Sequence, residues 1–111
     1  MLRPLTEFDY HHTLAATPGI SLVLFTSLTC RTCRAAEGFL ARAAAGLGCS
    51  CFRVDVQEAT GLARAFDIFH LPTLFLYRDG RFHAPLHTQL TFESLRRAVE
   101  EALASPPEEE P

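Results

Sequence analysis

Residues Phe25 to Leu40 read FTSLTCRTCRAAEGFL. Just before them, Ile20 to Phe25 is an apolar, β-branched and aromatic run that reads as a buried strand. After them comes an alanine-rich stretch with high helix propensity. Cys30 and Cys33 stand at the junction, separated by Arg31 and Thr32. Two thiols at this spacing admit three readings: a redox pair, half of a metal site, or two small core residues.

In the first turn of a helix, residues three apart lie on one side, close enough for a disulfide without unwinding the backbone. Unpaired amide N–H groups and the helix dipole stabilise a thiolate at that end. Cys30 is the expected exposed attacking thiol, and Cys33 the more buried resolving one. Arg31 and Arg34 add positive potential where their guanidinium groups stay close. A lower pKa also makes a thiolate a better leaving group and a weaker nucleophile, so reactivity alone does not set the direction of exchange.

Working outward, Thr6 is a candidate cap for a helix from about Glu7 to Ala16, with Asp9 three residues after it. Thr29 is the expected cap of a helix from about Cys30 to Ala45, with Gly46 as its stop. Cys49 to Val56 reads as a strand and Glu58 to Phe66 as a short helix. Thr73 to Tyr77 is a strong strand, and Asp79-Gly80 supplies the positive φ of a tight hairpin turn. Phe82 to Leu86 returns as the partner strand, with Pro85 pointing to an edge position. Thr91 caps a final helix whose Phe92, Leu95, Val99 and Leu103 recur at helical spacing. The predicted fold is α/β: a central mixed sheet with helices on both faces, its first two long strands parallel through a right-handed crossover. Residues 1–105 form a single domain. Residues 106–111, PPEEEP, are an acidic, proline-rich tail expected to be disordered.

That order puts Cys30 and Cys33 at the carboxyl end of a central strand, where open α/β sheets carry function. Cys49 and Cys51 complicate the reading, because four thiolates could hold a zinc ion. They sit two apart in one strand, however, and no zinc-knuckle glycine turn follows either pair. Small, buried, reduced thiols is the favoured account of them. His11, His12, His70, His83 and His87 show no metal-protease spacing, and no phosphate-binding loop is present. A net charge of −3, with ten Arg and no Lys, offers no basic stripe for nucleic acid. The N-terminal segment is interrupted by acidic and histidine residues, so it reads as neither secretory signal nor membrane span, and a cytoplasmic location is expected. In a reducing compartment, four cysteines point to catalysis or metal before structural disulfides.

The segments SLVLFTSLTCRTC, CFRVDV and AFDIFHLPTLFLYRDG, with the final amphipathic helix, resemble the thioredoxin-like family over about Leu5 to Ala104. The resemblance implies a three-layer thioredoxin-like fold and thiol–disulfide exchange with protein substrates, in the reducing direction in this setting. It needs no cofactor, but it does need an upstream thiol reductase or another dithiol. Cys30 would attack and Cys33 resolve. Pro72 would be the family's cis-proline facing the thiols, with the Leu71 backbone holding an extended client segment. Leu28, Leu71 and His87-Thr88-Gln89 would form a docking rim.

Several positions depart from the family. Thr29 replaces a tryptophan before the first cysteine, and Arg31-Thr32 replaces the usual Gly-Pro, which alters redox tuning. Leu24 and Cys51 occupy the places of a buried aspartate and its lysine partner. The joint absence leaves no buried charge alone. It also removes the internal relay that would deprotonate the second cysteine, so a slower release step is expected. Thr88 takes the place of a glycine and narrows the groove. The alternative reading is a thioredoxin-fold binding or assembly protein with little redox turnover.

Overall fold

The computed structural model describes residues 2–111. Five strands and four helices follow in the order β1 (Arg3–Pro4), α1 (Tyr10–Ala15), β2 (Ile20–Thr26), α2 (Arg31–Leu47), β3 (Ser50–Asp55), α3 (Thr60–Ala65), β4 (Thr73–Arg78), β5 (Arg81–Leu86) and α4 (Phe92–Ala104). The sheet order is β1-β3-β2-β4-β5. β1, β3 and β2 run parallel, β4 is antiparallel to β2, and β5 is antiparallel to β4. β1 is only two residues long, and Met1 lies outside the described residues.

Alternation along β2 builds two cores from one strand. Val23 and Phe25 pack with Tyr10 and Leu14 of α1, Leu62 of α3, and Phe75 and Tyr77 of β4. Leu22 and Leu24 face Ala36, Leu40 and Ala43 of α2 and Leu95 and Val99 of α4. A strand buried on both faces must be apolar at nearly every position, and β2 is. The fold is the expected mixed-sheet α/β sandwich of three layers.

The boundaries differ from expectation for local reasons. Thr6 and Asp9 do exchange capping bonds: the Thr6 hydroxyl accepts from the Asp9 amide at 3.2 Å, and the Thr6 amide donates to Asp9 Oδ1 at 2.7 Å. The residues between them form a turn, and regular helix starts only at Tyr10. Gly46 does not end α2. It lies inside the helix, where an added Cβ would come within 2.9 Å of the Phe92 ring. Gly48, at φ +67°, is the left-handed cap, its amide bonded to Ala44 at 3.1 Å. In the β4–β5 turn Asp79 and Gly80 both have positive φ, as expected. An added Cβ at Gly80 would meet the α1 backbone at 2.6 Å, so α1 requires glycine there as well.

The acidic tail, expected to be disordered, lies against the fold. The Glu108 amide donates to the His83 carbonyl at 2.8 Å, and Tyr77 donates to Glu110 Oε2 at 2.7 Å. Among the described residues no helix is long and apolar enough to cross a membrane.

Candidate functional site

The cap of α2 is Cys30 and not Thr29. Its backbone is extended, at φ −98° and ψ 112°, and its sulfur accepts from the Cys33 amide at 3.2 Å. In the usual cap an oxygen plays this part; here the thiol does. The amide of the third helical residue is therefore aimed at the sulfur. Thr29 belongs to the approach, where its amide and hydroxyl meet the Ser27 hydroxyl at 3.4 and 3.1 Å and the Cys30 amide donates to the Ser27 carbonyl at 3.1 Å.

Cys30 and Cys33 pair as a disulfide with their Cα atoms 5.2 Å apart. Cys33 is fully buried, whereas Cys30 is partly exposed. Helix rotation creates this asymmetry, since Cys33 heads the inward stripe that continues through Ala36, Leu40 and Ala43. A second polar group faces Cys30: the Thr32 hydroxyl lies 3.3 Å from its sulfur. Arg34 bends back to donate to the Leu28 carbonyl at 2.8 Å, which ties the cysteine-bearing loop to the helix. Arg31 is exposed beside Cys30.

The Leu71–Pro72 bond is cis. Pro72, Leu24 and Thr88 come together in the lining of a cavity of about 240 Å³, with Ala36, one turn beyond Cys33, on its wall. Leu24 is 2% exposed and belongs to the apolar α2–α4 core. Thr88 does not crowd the thiols through its hydroxyl, which donates to the Gln89 carbonyl at 3.0 Å. The Leu71 side chain is half-buried against the α1–α3 core. Leu28 is 69% exposed, and so is a residue that sequence reasoning passed over: Phe69, 82% exposed in the loop leading to Pro72. An aromatic side chain in a connecting loop was its only signal.

Cys51 lies opposite Leu22 in the β2–β3 pairing, and Leu24 opposite Arg53. Cys49 and Cys51 are free and half-buried against the α2–α4 core. Burial pushes the Cys51 thiol up to about 11, with the neighbouring Cys49 adding to the rise, and burial raises Cys49 as well. Both are protonated at neutral pH. Among the described residues no three His, Cys, Asp or Glu side chains gather to hold a metal.

No curated protein matches this chain in sequence. Among solved structures it is similar to the zinc-bound form of human ERp44, at 19% identity and a TM-score of 0.79, over 91% of this chain and 31% of that one. The chain thus spans about a third of that protein's length. The family model described as Thioredoxin matches residues 2–101. By that match, and by a cysteine pair set at the start of α2 across a mixed sheet, the chain belongs to the thioredoxin family.

Proposed function

We propose that the protein exchanges thiols and disulfides with protein clients, and that in a reducing compartment it acts as a reductant. The observation that carries this reading is the paired asymmetry of Cys30, partly exposed and facing the Cys33 amide and the Thr32 hydroxyl, and Cys33, buried one turn below it. Family membership and a disulfide-capable pair support thiol–disulfide oxidoreductase chemistry in general.

In the reaction, the Cys30 thiolate attacks one sulfur of a client disulfide. That S–S bond breaks, a mixed disulfide forms, and the departing client thiolate takes up a proton. The Cys33 thiolate then attacks the Cys30 sulfur and releases the second client thiolate. Two electrons have passed to the client, and the Cys30–Cys33 disulfide remains. A thiol reductase or another dithiol returns it to the reduced state. The Cys33 amide and the Thr32 hydroxyl hold negative charge on Cys30 before attack. Arg31 adds charge from the exposed side.

The second step lacks an internal base. Leu24 cannot accept a proton, and Cys51, raised to about 11, holds its own at neutral pH. The Cys33 proton therefore leaves through solvent or through the client, and release is slow relative to attack. Leu71 and Pro72 present backbone to an extended client segment, with Leu28 and Phe69 as exposed apolar flanks and Thr88 bounding the groove.

Insulin reduction with dithiothreitol tests the proposal, with the Cys30→Ser/Cys33→Ser double variant as control. Turnover above the control is expected. A rate equal to it would leave the second reading, a binding or assembly protein, which the exposed Phe69 and the missing base favour. A Cys33→Ser trap would then hold the client through Cys30 and permit its identification.

A further inference from the structure

The strongest unassigned feature lies on the opposite core from α2. Tyr10 and Tyr77 are 0% and 1% exposed, and their hydroxyls lie 2.8 Å apart. Each hydroxyl carries one donor hydrogen. When one tyrosine donates to the other, the second O–H still needs an acceptor, and leaving it buried without one costs free energy. Tyr77 meets this need by donating to Glu110 Oε2 at 2.7 Å. The other carboxylate oxygen lies 2.9 Å from His11 Nε2. The site therefore offers donors to both oxygens, and it suits a group that accepts only.

We infer that Tyr77, backed by Tyr10 and flanked by His11, forms a carboxylate-binding site that the chain fills with its own Glu110, strapping residues 106–111 across the edge of the sheet. Two further contacts set the register of this strap. His83 sits where β5 slips past β4, between the paired residues Phe82 and Ala84. Its Nε2 meets the Ala102 and Ser105 carbonyls at 2.7 and 3.0 Å, closing the end of α4. Its carbonyl accepts from the Glu108 amide, which places Glu110 two residues on at the tyrosine pair. The strap crosses β5, an edge strand whose free backbone groups would otherwise invite pairing with another chain. Its last residue, Pro111, walls a cavity of about 410 Å³ shared with Phe69, His70 and Pro72. The strap thus joins the end of α4 to the loop that presents Pro72, and its release opens that cavity.

The test is hydrogen exchange of the Glu108 amide in the full chain, alongside cleavage after Glu108 by a glutamate-specific protease. Glu110→Ala is expected to raise both by at least about tenfold, the range of a hydrogen bond to a charged group. Glu109→Ala, the same charge change one residue away, is expected to leave both at the wild-type value. Tyr77→Phe combined with Glu110→Ala is expected to be no faster than Glu110→Ala alone. Unchanged exchange in Glu110→Ala would overturn the site, as would an equal rise in Glu109→Ala, which would mean diffuse charge attraction. Glu110 stands on the surface tail, so its variants report even where Tyr77→Phe impairs folding.

Discussion

Two pairs of cysteines in one small domain make a controlled contrast. Cys30 and Cys33 open a helix, where the Cys33 amide and the Thr32 hydroxyl meet one sulfur and the other is buried beneath it. Cys49 and Cys51 precede and occupy a strand, half-buried among apolar side chains, with burial raising both pKa values. The residue type is the same in both pairs. Backbone placement decides which sulfur can carry charge, and charge on sulfur is what exchange chemistry requires.

The largest effect expected from breaking this contrast is in turnover. Cys30→Ser should reduce insulin reduction to the uncatalysed rate, whereas Cys49→Ser and Cys51→Ser should retain most of the activity. Alkylation of the reduced protein at pH 7, read cysteine by cysteine by mass spectrometry, should modify Cys30 at least about a hundredfold faster than Cys51. Comparable rates would mean that the helix start confers no advantage.

A smaller effect tests the floor beneath the thiols. Leu24→Asp places a carboxyl in an apolar cavity with no partner and should destabilise the fold by about 3 kcal/mol in urea unfolding at pH 7. The loss should shrink at low pH, where the carboxyl enters protonated. Adding Cys51→Lys should recover part of the stability if the two positions can meet across the sheet.

Thr32→Val should raise the Cys30 pKa by about one unit, measured by thiolate absorbance at 240 nm, and Thr32→Ser should restore it. The smallest effect concerns the strand pair. The folded state holds the Cys51 proton from 9.0 up to about 11, where the unfolded chain releases it. Stability contributed by this thiol is therefore full below pH 9 and falls as pH rises through that window. Cys51→Ser should flatten part of the decline between about pH 9 and about pH 11 in urea midpoints.

Most of the architecture was legible in the sequence because each element follows a single rule. β2 is apolar without a break from Leu22 to Phe25, Asp79-Gly80 can only turn tightly, and Thr91 caps α4 through the Ser94 amide at 3.2 Å as its spacing implies. The start of α2 misled by one residue, since cap preferences rank threonine and omit the thiol that takes the role. Its end misled because Gly46 and Gly48 carry the same local signal, and only the packing of Phe92 shows which one stays helical. The thiol pair, Pro72 and Leu24 could be placed from chain order. The partial burial of the Leu71 side chain and the exposure of Phe69 could not, because both depend on how one loop folds. The contacts of the tail left no mark on its composition. Proline and glutamate cannot build a core, yet one glutamate suffices to satisfy a buried tyrosine pair, and pairs 33 residues apart leave no local pattern.

Equilibration of the reduced protein against a series of glutathione buffers, with the state of each cysteine read by mass spectrometry, tests the central claim most directly. The account predicts that Cys30 and Cys33 convert together between dithiol and disulfide within the series, while Cys49 and Cys51 remain thiols throughout. Oxidation of Cys49 or Cys51 first, or a Cys30–Cys33 pair that stays reduced in every buffer, would contradict it.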